Sequence, residues 1–467
     1  MTLLFWVHAM LLAALSLFGL HRLLLLWRLR LKPRALPAPE EEAWCPAITV
    51  QLPLFNERHV AERVIRAAAA LDWPELQIQV LDDSTDDTTE LAQAVVEDLA
   101  AQGVDIVLAH RAHREGFKAG ALEEGMAWAS GELIAVFDAD FVPQAGILRA
   151  LVPSLRDPGV GMVQARWGHA NLEESWLTRA QGVLLDGHFV IEHEARFRSG
   201  CWFNFNGTAG VWRKACIQDA GGWQHDTLTE DLDLSYRAQA RGWRFVYRAE
   251  QAVPAELPHT LQAFQSQQHR WAKGSIQCAR KLLGSILRAQ LPIRVKLEAC
   301  LHLLANLAYP LVLCLALVSP LAPFRSGAQA ELVQGMDALA LFATTVSVWC
   351  FYGVAVRRAG DHAGWGRIPV AMALGVGMSV AQTRAVIEAI VGHKSPFVRT
   401  PKRGSDQGSY RAFVRLPWAE LLLCGWQLCG VLWALQAGFW GAVPLQLFLA
   451  LGFGVVGIGG VLGSRRS

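Results

Sequence analysis

The chain is short of charge. Of its 467 residues 18% are Asp, Glu, Lys or Arg and 52% are hydrophobic, whereas a soluble chain of this size carries about a quarter charged. The deficit is uneven. Residues 45–290 hold most of the Asp and Glu and read as an ordinary globular domain, while both ends are rich in Leu, Ala, Val and Trp. The nine cysteines are scattered, with no Cys-x-x-Cys pair and no Cys/His cluster. That argues against a disulfide framework or a zinc site and for plain apolar packing in a reducing compartment. A net charge of +2 without a basic, aromatic-interleaved patch gives no footing for nucleic acid. No internal repeat or low-complexity tract is evident.

What the chain has is long apolar runs. Residues 2–27 are almost wholly apolar and are followed by Arg28, Arg30, Lys32 and Arg34. A cleaved signal peptide has the opposite order, so residues 1–31 read as a retained membrane helix with its amino terminus outside and its basic end in the cytoplasm. A short linker bearing Pro33, Pro37, Pro39 and Glu40 to Glu42 leads to a cytoplasmic domain, 45–260. Residues 261–292, with Arg270, Trp271, Lys273, Arg280, Lys281 and Arg288, read as amphipathic helices along the membrane face. Within 293–467, further spans are expected near 297–319, 336–356, 417–436 and 441–462. The run 368–391 holds Gln382, Arg384 and Glu388. Placing it in the interface keeps the basic segment from Lys394 to Arg415 inside and gives five crossings of a plasma or inner membrane.

Between the membrane segments the pattern alternates. Strands are expected at 48–52, 78–81, 104–108 and 133–137, with helices near 59–70, 86–101 and 118–129. This order predicts an α/β fold with a parallel sheet and ligands at the carboxyl ends of its strands. Asn56 and Glu57, Asp82 and Asp83, and Asp138 and Asp140 all fall there.

Four groups carry chemistry. Asp138 and Asp140, two apart on extended backbone, point the same way and form an oxygen site for Mg²⁺ or Mn²⁺ shared with phosphate; a solvated turn is the plainer alternative. Asp82 and Asp83 could accept from a nucleotide, or the Asp82–Asp86 stretch could cap a helix. Lys118 could meet a phosphate. Thr227-Leu228-Thr229-Glu230 has capping-box spacing, so a helix is expected to start there. Asp231 is then either a partner of the helix dipole or a general base for an acceptor hydroxyl. Gln267 and Arg270 share a helix face, Arg suits a leaving diphosphate, and Trp271 offers an apolar plate for a sugar; an ordinary interfacial helix is the alternative.

In this order the groups resemble the processive family 2 glycosyltransferases, the cellulose synthase-like proteins. The pattern is Asp82-Asp83, Asp138-x-Asp140, Thr229-Glu230-Asp231 and Gln267-x-x-Arg270-Trp271. Val163 to Trp167, Phe205 to Arg213 and Ala220 to Trp223 are similar to segments of the mannan-synthase-like members and their bacterial relatives. The resemblance covers roughly 48–285. It implies a GT-A fold, Rossmann-like, joined to a helical transmembrane region, with a nucleotide-sugar donor, a divalent cation and inversion at the anomeric carbon. Phe55, Asn56, Glu57, Asp82, Asp83 and Lys118 fall on nucleotide-contacting positions, Asp138 and Asp140 on the cation ligands, Asp231 on the base and Trp271 on the acceptor site. Phe397, Thr400 and Lys402 resemble a gating loop, 394–404, that closes over the donor. Phe141 stands where bacterial cellulose synthases have a His, and Arg399 replaces a Val.

The reading is a membrane-embedded hexosyltransferase using UDP-glucose or GDP-mannose and extending a β-linked glucan or mannan. A single transfer to a lipid acceptor is the alternative, and a transporter with a nucleotide-sensing domain a more distant one.

Overall fold

The computed structural model describes residues 3–32, 44–324, 328–361, 363–393 and 417–464. Phe397, Thr400 and Lys402 lie outside these residues, as does most of the linker.

Helix α1 (Leu3–Arg28) precedes an α/β domain. Strands β1 (Ile48–Leu54), β2 (Leu76–Asp82), β3 (Ile106–His110) and β4 (Leu133–Val136) are joined by α2 (Arg58–Ala69), α3 (Thr88–Ala101) and α4 (Phe117–Met126). The expected βα alternation is present. The third strand begins two residues later than the pattern implies, because Val104 still closes the end of α3 through its N–H to Leu99 O. After the short α5 (Ile147–Leu151) come β5 (Val160–His169), α6 (Trp176–Asp186), a π-helix at Gly187–His193, α7 (Glu194–Arg198), β6 (Gly210–Arg213), α8 (Lys214–Asp219), α9 (Glu230–Ala240) and β7 (Arg244–Ala255).

The seven strands lie in the order β3-β2-β1-β4-β6-β5-β7, with β6 antiparallel to both neighbours. Chain order reverses at β1 and β4, and a ligand crevice opens at such a point. The polar residues of the alternating β1 are not solvent-facing. Thr49, Gln51 and Gln79 are fully buried. Gln51 donates to Gln79 Oε1 at 3.0 Å and to Leu122 O, and Gln79 to Gly125 O. These bonds offset the cost of burying the amides and pin α4 to the sheet.

Beyond the domain run α10 (Leu261–Arg288), α11 (Ile293–Leu303), α12 (Ala308–Val318), α13 (Ala328–Leu341), α14 (Ser347–Ala359), α15 (Ile368–Gly377), α16 (Ser379–Val391), α17 (Trp418–Ala437) and α18 (Val443–Ser464). Among the described residues four helical stretches are long and apolar enough to cross a membrane: 3–28, 331–359, 418–437 and 440–462. The run near 297–319 is not one straight helix but two meeting at 50°, and 364–391 likewise bends by 45°. Counting each bent pair as one span gives six.

Helices α15 and α18 touch through glycines. A Cβ on Gly377 would fall 2.2 Å from Gly452 O, and one on Gly452 would fall 2.6 Å from Val376. Small residues permit this approach where lipid supplies no hydrophobic drive. Gly377→Leu is expected to lower the unfolding midpoint of detergent-solubilised protein by roughly 5 °C; an unchanged midpoint would show the crossing to be dispensable.

Candidate active site

The cavity opens over the carboxyl ends of β1, β2 and β4. Phe55, Glu57, Asp83, Lys118, Asp138, Asp140, Asn206, Glu230, Asp231, Gln267, Arg270 and Trp271 are among its lining residues. Residues spread over more than two hundred positions therefore meet.

At the β1–β2 end the loops are stapled to each other. Asn56, at φ 52°, donates its N–H to Ser84 Oγ at 2.8 Å and accepts from Thr85 N at 2.8 Å. The two aspartates have different jobs. Asp82 is fully buried behind the cavity and does not line it: its carboxylate accepts from Ser84 N and Thr89 Oγ1 and meets His110 Nδ1 at 2.8 Å. Asp83 faces the cavity and is held by Arg111 through two bonds of 2.6 Å. Such a fork fixes a carboxylate plane. The Arg114 guanidinium lies 3.3 Å from the Phe55 ring centroid, a cation–π stack at the rim. Arg111 and Arg114 had gone unnoticed; the signal was the basic run His110 to Arg114 immediately after a strand.

Asp138 and Asp140 both line the cavity, but not on extended backbone. β4 ends at Val136, and the pair sits on a turn closed by Phe141 N–H to Asp138 O at 3.0 Å. Asp138 N–H donates to Thr208 Oγ1 at 2.9 Å. Phe141 packs edge-on against Trp167, with centroids 5.1 Å apart, so an apolar contact occupies that position. Among the described residues no group of three His, Cys, Asp or Glu converges as a metal nest. Two carboxylates beside space for a diphosphate nevertheless fit the hard-cation pattern, in which substrate phosphates complete the shell.

Lys118 joins the acids. Its Nζ lies 2.6 Å from Asp138 Oδ1 and 4.0 Å from Glu230 Oε1, and it donates to Gly207 O at 2.9 Å. Gly207 has φ 81°, and a Cβ there would fall 3.1 Å from Asp231 Oδ2 and 3.2 Å from Lys118 Nζ, so only glycine leaves room between them. Burial opposes the ammonium, yet Asp138 and Glu230 raise its pKa.

Glu230 and Asp231 open α9. The helix starts where its sequence implies, but without a capping box: Thr229 is the N-cap and makes no side-chain cap bond. Thr229 is instead turned to α10, against Gly274, where a Cβ would lie 2.5 Å from it. This close approach sets the Thr-Glu-Asp turn on the helix bearing Gln267, Arg270 and Trp271. Burial, then the neighbouring Glu230 charge, pushes Asp231 up to about 7. That value suits a group that must take up a proton. Trp271 meets Trp167 edge-on, with centroids 6.1 Å apart, and a partly buried ion pair from Lys273 to Glu388 of α16 holds α10 from its other side.

Residues 46–274 match the sequence model of "Glycosyltransferase like family 2". The chain carries a family 2 glycosyltransferase domain. Its curated relatives are named as glucomannan mannosyltransferases. It is 45% identical over 250 residues to glucomannan 4-beta-mannosyltransferase 2 of Arabidopsis thaliana, covering 52% of this chain and 47% of that protein. It is 42% identical over 268 residues to glucomannan 4-beta-mannosyltransferase 1 of Oryza sativa subsp. japonica, covering 56% and 51%. The chain thus spans about half the length of the curated relatives it matches. A mannosyltransferase of Pyrobaculum calidifontis, solved with GDP-Man and Mn²⁺, has the same GT-A fold (TM-score 0.58, 19% identity, 84% of this chain and all of that one).

The raised Asp231 value has a consequence for the unliganded glycosyltransferase. An unfolded aspartate titrates near ~4, so between about pH 4 and 7 the folded state holds the extra proton, and stability falls as pH rises through that window. Asp231→Asn should unfold at least ~3 °C above the parent at pH 8, with the gap closing toward pH 4. A variant no more stable than the parent at pH 8 would remove the basis for the shift.

Proposed function

We propose that this glycosyltransferase is an integral membrane enzyme that moves a hexose, with inversion, from a nucleoside diphosphate sugar to a growing β-linked polysaccharide. The observation that carries the reading is the convergence of Asp138, Asp140, Asp231, Arg270 and Trp271 on one cavity, with Lys118 paired to Asp138 in its wall. Mannosyl transfer from GDP-mannose is the first choice, because the relatives at 45% and 42% identity are named mannosyltransferases; UDP-glucose is the second.

In this reading Phe55, Glu57 and Asp83 face the nucleoside, and Asp82 acts from behind by orienting the β2 loop. Asp138 and Asp140 would hold Mg²⁺ or Mn²⁺, which neutralises diphosphate charge when bound. Arg270 faces the leaving diphosphate, with Gln267 on the same helix. Asp231 takes the proton of the attacking hydroxyl, and its position at the start of α9, beside a lysine, stabilises the carboxylate once substrates have displaced water. Trp271, set against Trp167, supplies an apolar face for the acceptor sugar. We read the four single spans and the first bent pair as five crossings, and the basic residues that follow the first span favour an outside amino terminus and a cytoplasmic domain.

Three measurements test it. A donor screen with product sizing should yield polymer from GDP-mannose; a glycolipid product would shift the acceptor to lipid, and no transfer from any donor would end the reading. Asp231→Asn is expected to lower kcat by about 10³-fold while nucleotide affinity holds; undiminished turnover excludes Asp231 as the base. Removal of divalent cations should abolish transfer, and Mg²⁺ or Mn²⁺ should restore it.

A further inference from the structure

A line of polar side chains runs from the cavity wall to the first membrane helix. Asn206 lines the cavity. Its Nδ2 lies 3.0 Å from His188 Nε2, and His188 Nδ1 lies 3.1 Å from Glu192 Oε2. Arg196 Nη1 is 3.4 Å from the same carboxylate oxygen, and its Nε is 2.9 Å from Glu298 Oε1. Glu298, on α11, is also taken by His21 at 3.1 Å and by Arg28, both from α1. Arg22 of α1 approaches Glu192 at 4.0 Å. The side chains of Arg196 and Glu298 are 2% and 1% exposed. His188 and Glu192 sit on the π-helix, a rare element that concentrates at functional sites.

A buried ion cluster that merely docks α1 would account for Arg28, Arg196 and Glu298. It does not account for the His188–Asn206 step, which ends on a cavity residue. Burial opposes the Glu192 carboxylate, but Arg196 and His188 keep it ionised, well below the usual range. An ionised carboxylate only accepts, so His188 carries its proton on Nδ1 and its Nε2 accepts from the Asn206 amide. Asn206 is thereby locked with Oδ1 turned away from the ring, buried and without a partner among the described residues, an unmet acceptor beside the cavity that a sugar hydroxyl displacing its cover can satisfy.

We propose that His188 is a positioning residue: it orients Asn206 toward a hydroxyl of the acceptor sugar, and α1 holds it in place through Glu192, Arg196 and Glu298. The inference rests on the sugar-transfer reading above. The test uses the full chain in detergent, GDP-mannose and a soluble manno-oligosaccharide, with KM measured separately for donor and acceptor. His188→Leu is expected to raise the acceptor KM about tenfold and leave the donor KM unchanged. His188→Gln, which can still donate to Glu192 and accept from Asn206, should restore most of it. Glu192→Gln should give a similar rise, and the double variant His188→Leu/Glu192→Gln should be no worse than either single one, because both break one path. His21→Leu should move the same constant in the same direction. An unchanged acceptor KM in His188→Leu, equal rises in donor and acceptor KM, multiplying effects in the double variant, or an inert His21→Leu would overturn the inference. Absence of transfer by the parent chain would instead bring down the functional reading, and this inference with it.

Discussion

One ammonium group organises the catalytic domain. Lys118 Nζ meets Asp138 on the turn after β4 and the Gly207 carbonyl in the loop before β6, and lies 4.0 Å from Glu230 at the start of α9. Each of these carboxylates would be costly to hold in a half-buried cavity alone, because repulsion between them adds to desolvation. The lysine makes their convergence affordable, and it does so from α4, which the Gln51–Gln79 ladder fixes to the central strands. Charge at the cavity thus follows from hydrogen bonds in the sheet interior. Asp231 gains least from the arrangement: it stands beyond Glu230 and remains the acid whose charge the empty cavity tolerates worst.

The same constraint explains where backbone crowds backbone. Gly207 lets the Asp231 carboxylate and the ammonium share one face of a loop, and Gly274 lets α10 lie directly on the Thr229 turn. A side chain at Gly207 would press on Asp231 and Lys118, and one at Gly274 would push α10 off the Thr229 turn that opens α9. The membrane helices extend this logic outward. α16 grips α10 through Glu388 and Lys273, and α1 grips the π-helix and α7 through Glu298 and Arg196. The domain is tied to the apolar region by a partly buried ion pair at α16 and a buried one at α11.

Much of this was legible in the sequence because it is written locally. The βα alternation, the apolar runs and the placing of acids after strands all follow from periods of two and 3.6 residues. What was not legible depends on partners far along the chain. The adjacent Asp82 and Asp83 look equivalent in sequence, yet His110 and Thr89 draw one inward while Arg111 presents the other. The Asp138–Asp140 pair was expected on extended backbone after a strand ending at 137, but the strand ends at Val136 and a turn carries both acids. Thr229 looked like part of a capping box, and the close approach of Gly274 gave it another neighbour. The break of 297–319 into two helices was also hidden, since an apolar run looks alike whether straight or bent.

The cavity has two ends of different character. At the β1–β2 end the polar groups are already paired: Asp83 with Arg111, Arg114 on Phe55, Asn56 with Ser84 and Thr85. Preformed pairs lose little entropy on binding, so a rigid wall can reject a base of the wrong shape. At the other end Trp167, Trp271 and Phe141 present ring edges and faces with few polar groups between them. Rings of this kind bind a sugar by its apolar face and distinguish one hexose from another weakly. Selectivity there has to come from the few hydrogen-bonding groups that stay fixed. In the proposed reading, a single oriented amide matters more at the aromatic end than another charge would at the β1–β2 end, since a fixed hydrogen-bonding group can tell one hydroxyl arrangement from another.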